Sequence, residues 1–321
     1  MEKPFVYITR KLPEELLEPL KQVATIEMWP HDDQPIPYDK LKEKAKKASG
    51  LLTMLSDQID ASLLEASPHL KVVANMAVGY DNIDVAAAKK NDITVCNTPD
   101  VLTNSTAELT FALMLATARR ICEAEQYVKE GKWINWSPFL LAGQDLFRKK
   151  LGIVGMGRIG QAVAKRAKGF DMDIYYHNRS RNEHAEAEYG ATYLSFHDLI
   201  SSCDYIICLT PLTSETVKLF NATVFKEMKD TAIFINVSRG AVVDEAALYE
   251  ALVNKEIAGA GLDVFEKEPI QTTHPLLSLK NVVALPHIGS ASVATRWKMG
   301  ELAVENILAV LQGSKGKTIV E

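Results

Sequence analysis

A chain of 321 residues is too long for one ordinary hydrophobic core, so two domains are expected. Apolar residues at 47% and charged residues at 24% suit a globular protein, and a net charge of -5 exerts no global pull on nucleic acid or acidic membranes. The N-terminus enters a strand directly and no run of 18 uninterrupted apolar residues occurs, which argues against a secretory leader and a membrane span.

The first hundred residues alternate between β-rich runs (FVYIT, TIEMW, GLLTML, VVANMAV, ITVCN) and helical segments near 14–22, 38–48, 60–66 and 84–90. Alternation at this pitch predicts a parallel sheet with helices on both faces. The lysine-rich stretch KLKEKAKK (40–47) is the wet face of a short helix whose apolar side carries Leu41 and Ala45. Residues 105–131 predict one long helix, with Ser105 and Glu108 as a capping box and Gly131 as its stop. A second alternation begins at 151 (KLGIVG, DIYYHN, ATYLS, DYIICLT, AIFINVS, AGAGLDVF, NVVALPH) and predicts a second parallel sheet, followed by a last long helix from Ser290. Four scattered cysteines, Cys96, Cys122, Cys203 and Cys208, three of them in apolar strand-like or helical stretches, lack metal-ligand spacing; buried thiols in a reducing cytoplasm are expected in preference to disulfides, with no metal site.

Gly155-Met156-Gly157-Arg158-Ile159-Gly160 has the G-x-G-x-x-G spacing between an apolar strand and a helical pattern. Gly155 permits the turn, Gly157 admits a pyrophosphate against the backbone, and Gly160 lets helix and strand pack closely. The signature lies mid-chain, so the dinucleotide-binding domain (99–288) is expected as an insertion into a substrate domain built from 1–98 plus 289–321. Two chain crossings between them would make a natural hinge. A carboxylate usually ends the second strand of such a site and grips the ribose of NAD. Here that strand ends in Asn178, Arg179 and Ser180, with Arg181 next, while Asp173 lies at its other end. Without the acid a 2′-phosphate meets no like charge, and Arg179 and Ser180, with Arg181 as a further candidate, can donate to it. NADPH is therefore favoured, with NADH possible.

Arg239, Glu268 and His287 each follow an apolar strand of the second alternation, at the carboxyl ends where open α/β sheets bind ligands. Each alone suits a bland surface role. Together they suit reduction of a 2-oxo acid: Arg forks a carboxylate, His supplies a proton, and Glu orients that His.

The motifs VGYDNID, NTPDVLTNSTAE, GIVGMGRIGQAVAKR, TPLTSET, INVSRGAVVDEAAL, GLDVFEKEP and LPHIGSAS occur in an order that resembles the D-isomer-specific 2-hydroxyacid dehydrogenase family nearly end to end. The resemblance is closest to the glyoxylate/hydroxypyruvate reductase branch, which includes 2-ketogluconate reductases. It implies two Rossmann-like doubly wound parallel-sheet domains of the α/β class, the nucleotide-binding one inserted into a flavodoxin-like substrate domain. It further implies Arg239, Glu268 and His287 as catalytic residues, with His287 as proton donor. The substrate carboxylate would meet the backbone N–H groups of Val78 and Gly79. Thr106, Thr210 and Asp263 would contact the cofactor, as would Arg158 and Ile159 of the glycine loop, Asp263 facing the nicotinamide carboxamide. Within GKWINWSPF (131–139), Trp136 is the candidate to approach the neighbouring subunit's site in a homodimer. The departure from the family's NAD-using members is Asn178, where they carry Asp. The expected substrates are glyoxylate and hydroxypyruvate, with 2-ketogluconate as the alternative. A nucleotide-sensing corepressor is the alternative from another class, although no motif-bearing disordered tail supports it.

Overall fold

Five short strands, β1 (Phe5–Ile8), β2 (Thr25–Met28), β3 (Gly50–Thr53), β4 (Val72–Asn75) and β5 (Thr94–Cys96), form one sheet in the order β2-β1-β3-β4-β5. All neighbours pair in parallel. This is the flavodoxin-like order. The computed structural model describes residues 3–320. Asp60 and Asp84 cap the helices Ala61–Glu65 and Val85–Lys90 by accepting the N–H groups of Leu63 and Ala87. The C-terminal helix Val293–Leu311, capped by Ser292, packs on β3, β4 and the helix Glu14–Val23.

Seven further strands, β6 (Lys150–Val154), β7 (Asp173–His177), β8 (Thr192–Tyr193), β9 (Tyr205–Cys208), β10 (Ile233–Asn236), β11 (Gly259–Leu262) and β12 (Val282–Ala284), form a second sheet. Its order is β12-β11-β10-β9-β6-β7-β8, parallel throughout. The order reverses between β6 and β9, as in a Rossmann fold. Strand β9 shows why both faces need cover. Tyr205 and Ile207 join one apolar cluster and Ile206 and Cys208 join another, all with no exposed surface.

The chain divides into two units, Met1–Leu102 with Ala291–Glu321, and Thr103–Ser290. The helix Thr103–Ala118 opens the second unit and packs on β10 and β11 of its sheet. The predicted single helix over 105–131 is two helices, Thr103–Ala118 and Ile121–Lys129. Arg120 between them is left-handed at φ 53°, and the Ala118 carbonyl accepts the N–H of Gln144 at 2.8 Å. Gly143 passes so close that a Cβ there would lie 2.2 Å from Ala118 O. An incoming chain segment thus ends a helix that periodicity alone would continue. The predicted capping box is also displaced. Ser105 is the third residue of its helix, and Glu108 pairs with Arg166 at 2.9 Å. Gly131 does follow the second helix, at φ 69°.

Candidate active site

The glycine loop leaves β6 and opens the helix Arg158–Ala167. Gly155 is at φ 106°, and a Cβ on it would lie 2.7 Å from the Leu209 carbonyl carbon. A Cβ on Gly160 would lie 2.4 Å from Gly155 O. Gly157 differs: a Cβ there meets nothing within 4 Å. Gly157 is also the N-cap residue, and no side chain caps the helix. Open space therefore faces uncapped N–H groups at the positive end of the helix dipole, an arrangement that fits the phosphates of a dinucleotide. Arg158 is exposed at the first helical position, and Ile159 packs on the core behind it.

Asn178 follows β7, and its Oδ1 accepts the N–H of Met156 at 2.7 Å. Asn182 Nδ2 donates to Met156 O at 2.9 Å, while its Oδ1 caps the next helix at Ala185. Two asparagines therefore staple the glycine loop to the end of the second strand. Arg179 is 89% exposed, with Glu215 3.9 Å away, and Ser180 is exposed beside it. Arg181 is engaged elsewhere: its Nε and Nη2 fork the Glu186 carboxylate. That fork and the Tyr176 hydroxyl hold the Glu186 carboxyl down to about 2. Thr210 lies in the loop after β9, where a Cβ on Gly155 would approach its backbone nitrogen to 2.8 Å. Thr106 is buried on the helix Thr103–Ala118.

Arg239, Glu268 and His287 follow β10, β11 and β12, so neighbouring strand ends present all three. Asn236, the last residue of β10 and buried, organises the first. Its Oδ1 accepts from Ser238 N at 3.0 Å and Ser238 Oγ at 2.8 Å, and its Nδ2 donates to Arg239 O at 3.0 Å. The next residue, Gly240, sits against the backbone of Phe265, where any Cβ would overlap the chain. Phe265 N–H in turn donates to Glu268 Oε1 at 2.9 Å, and Glu268 Oε2 lies 2.7 Å from His287 Nδ1. Burial would raise the Glu268 carboxyl. The hydrogen bond and charge of His287, the Phe265 N–H and the Arg239 charge outweigh it and hold the group below the usual carboxylate range.

His287 is left-handed at φ 55°, costly for a residue with a Cβ. The following two N–H groups, of Ile288 and Gly289, donate to the two oxygens of Asp263 at 2.7 and 2.8 Å. Asp263 has no exposed surface, and burial raises its carboxyl in spite of those bonds. Its two oxygens hold the turn that carries His287, a positioning role that the cofactor assignment had not included.

In the terminal unit, Val78 and Gly79 lie in the turn after β4. Trp136 is 75% exposed, between the helix Ile121–Lys129 and β6, beside Trp133, Ile134 and Phe139 at 58%, 95% and 84%. Core packing within this chain is thus not its role. Among the described residues no helix is long and apolar enough to cross a membrane.

Residues 111–289 match the family model described as D-isomer specific 2-hydroxyacid dehydrogenase, NAD binding domain. Glyoxylate reductases from Thermococcus kodakarensis and Pyrococcus furiosus are each 48% identical over 99% of this chain and 96% and 95% of theirs. The chain belongs to the D-isomer specific 2-hydroxyacid dehydrogenase family. Among solved structures, an NADPH-dependent glyoxylate/hydroxypyruvate reductase from Sinorhizobium meliloti, in complex with NADP and malonate, is 37% identical over 99% of this chain and 97% of that one, with a TM-score of 0.87. The dehydrogenase fold gathers Arg239, Glu268 and His287 at adjacent strand ends and keeps Asn178, Arg179 and Ser180 at the end of β7, across the sheet. Sequence reasoning missed Asn178 and Asn182 as staples, Asn236 as the organiser of Arg239, and the Asp263 clamp. Each is a short polar residue at a strand end or turn, where side chains commonly bond to neighbouring backbone.

Proposed function

We propose that this dehydrogenase is an NADPH-preferring reductase of small 2-oxo acids, with glyoxylate and hydroxypyruvate as its first substrates. The observation that carries the reading is the 2.7 Å contact between Glu268 and His287, with the Arg239 charge acting on the same carboxylate. Glu268 accepts a hydrogen bond from the Nδ1–H of His287, which leaves Nε2–H for the substrate. A reduced nicotinamide, held by the glycine loop, would supply the hydride that the substrate C2 takes up. As the carbonyl oxygen gains negative charge, His287 Nε2 transfers a proton to it and the 2-hydroxy acid forms. Arg239 polarises the same carbonyl and forks the carboxylate, whose other contacts are the N–H groups of Val78 and Gly79. Glu268 stabilises the protonated imidazole before transfer.

The cofactor would lie on Gly155, Gly157 and Gly160, with Thr106, Arg158, Ile159, Thr210 and Asp263 around it. Arg179 and Ser180, with no acid at Asn178, favour a 2′-phosphate. The exposed side chains around Trp136 suit a homodimer. Cys96, Cys122, Cys203 and Cys208 are all unpaired, in keeping with a reducing cytoplasm. The test is a set of initial rates for glyoxylate, hydroxypyruvate and 2-ketogluconate with NADPH and with NADH. Highest kcat/KM with NADPH and one of the two small acids is expected. Failure to turn over any 2-oxo acid would overturn the reading, and a clear preference for 2-ketogluconate would replace its substrate.

A further inference from the structure

Asn75, three residues before the motif VGYDNID, and Asn97, the first residue of NTPD, have no task in the proposed reaction, and both meet the turn after β4. After β4 the chain passes through Ala77, Val78, Gly79 and Tyr80. Three successive carbonyls there are each taken by a donor: Ala77 O by the N–H of Thr98 at 2.7 Å, Val78 O by Asn97 Nδ2 at 2.8 Å, and Gly79 O by Asn75 Nδ2 at 3.0 Å. These peptide bonds are trans, so each N–H points to the opposite side of its plane from its carbonyl. Holding the three carbonyls therefore turns the N–H groups of Val78, Gly79 and Tyr80 away from Thr98, Asn97 and Asn75. Among the described residues none of these three N–H groups has a protein acceptor. Val78 and Gly79 are half-buried, and Tyr80 is exposed.

The donors are themselves fixed. Asn75 has no exposed surface; its Oδ1 accepts from Thr53 Oγ1 at 3.1 Å, and its Nδ2 also reaches Asn82 Oδ1 at 3.1 Å. Asn82 passes the restraint on, donating to Met54 O at 3.1 Å and Asp57 O at 2.9 Å. Asn97 exchanges backbone bonds with the C-terminal segment: its N–H donates to Thr318 O at 3.2 Å, and its carbonyl accepts from Thr318 Oγ1 at 2.6 Å. Neither amide can turn over without setting its oxygen against a carbonyl.

We infer that Asn97 and Asn75 are positioning residues, which aim the N–H groups of Val78, Gly79 and Tyr80 as a three-donor cradle for the substrate carboxylate. The inference rests on the 2-oxo acid reductase reading and deepens it by a third donor and two residues that set the cradle's direction. Successive backbone N–H groups facing one way bind anions without a charged side chain. Because the carboxylate is unchanged between ground and transition states, such a cradle acts on binding and leaves the chemical step alone.

The test uses the full chain with Asn97→Ala and Asn97→Asp, at saturating reduced cofactor. Three quantities are measured: KM and kcat for glyoxylate, the Kd of oxalate, and the Tm. Asn97→Ala is expected to raise KM and the oxalate Kd about tenfold, the worth of one well-made hydrogen bond, with kcat within about twofold. Asn97→Asp keeps the volume but sets a carboxylate oxygen against Val78 O, so its rise in KM is larger than that of Asn97→Ala. A merely structural role gives the reverse order, the isosteric variant being the milder. Unchanged KM in both variants, the reverse order, or a fall in kcat without a rise in KM overturns the inference while leaving the reductase reading standing. An unmutated chain that turns over no 2-oxo acid removes both.

Discussion

Glu268 Oε2 lies 2.7 Å from His287 Nδ1, and its other oxygen accepts the N–H of Phe265. The carboxylate is thus tied on one side to the backbone and on the other to the imidazole, whose Nε2 is left for chemistry. His287→Ala should lower kcat by about 10²–10⁴-fold, the usual worth of a positioned general acid, with a smaller change in KM. Arg239→Ala should raise KM and lower kcat together, since in the proposed reaction the guanidinium would meet both the carboxylate and the developing alkoxide. Steady-state kinetics in the reductive direction checks both. Near-normal turnover by His287→Ala would remove the proton-donor assignment.

The same contact has a pH signature. Glu268 is held below the usual carboxylate range, so the pair keeps its negative partner through neutral pH. The sign follows from that depression: the pair's contribution to stability is fully present above the ordinary glutamate range and is lost only as pH falls through the lower folded-state value. Glu268→Gln removes the carboxylate that holds His287 Nδ1, and kcat should fall with little change in KM. Unfolding of Glu268→Gln should also depend less on pH on the acid side than that of the unmutated protein. An unchanged kcat in Glu268→Gln would remove Glu268 from the chemical step.

The three glycines of the loop should separate fold from binding. A Cβ on Gly160 meets Gly155 O at 2.4 Å, whereas one on Gly157 meets nothing within 4 Å. Gly157→Ala should therefore keep its Tm and lose cofactor affinity by at least about tenfold, as the methyl occupies the path of the phosphates. Gly160→Ala should lower Tm first, because helix and strand must separate. Equal cofactor affinity in Gly157→Ala, measured by nucleotide fluorescence, would place the phosphates elsewhere.

Both sheets were legible because β/α alternation in the sequence carries their period, and every predicted strand appears within a few residues of its place. The placement of Arg239, Glu268 and His287 after neighbouring strands was legible for the same reason, each standing past an apolar run. What the sequence concealed was set by contacts distant along the chain. The break at Arg120 depends on Gln144 N–H reaching Ala118 O, and Glu108 turns to Arg166 instead of to Ser105. Arg181 was hidden too. Its position beside Arg179 suggests a phosphate ligand, but Glu186, one turn into the next helix, claims it first.

The exposed segment around Trp136 predicts the assembly state. Ile134, Trp136 and Phe139 stand 95%, 75% and 84% exposed on a stretch with no strand or helix, a concentration of apolar surface that a lone protomer rarely leaves wet. The unmutated protein should sediment as a dimer of its 35.5 kDa chain. Ile134→Glu with Phe139→Glu should give monomers. Trp136→Ala should keep the dimer and raise KM for the oxo acid. Monomers at micromolar concentration of the unmutated protein would remove the homodimer, and an unchanged KM in Trp136→Ala would confine that residue to the interface.

In the proposed reading, cofactor choice would turn on the end of β7. Asn178 spends Oδ1 on the Met156 N–H, so Asn178→Asp keeps the same acceptor in place and need not disturb the loop. It adds one negative charge where a 2′-phosphate would lie and an acceptor for ribose hydroxyls. Arg179 is exposed, and its nearest acid, Glu215, is 3.9 Å away, a loose surface pair that a phosphate can displace. Arg181 is held in a fork by Glu186 and serves as the internal control. A hydrogen bond to a charged group is worth about 1.5–3 kcal/mol, so one such bond favours NADPH by roughly 10- to 100-fold. Arg179→Ala should cut kcat/KM for NADPH by about that factor and leave NADH almost untouched. Arg181→Ala should change neither cofactor by more than about twofold. Asn178→Asp should go further than Arg179→Ala, lowering NADPH efficiency and raising that of NADH. The comparison is kcat/KM for both cofactors at saturating oxo acid. Equal losses for both cofactors in Arg179→Ala, or equal efficiency in the unmutated enzyme, would make Asn178, Arg179 and Ser180 an ordinary solvated loop.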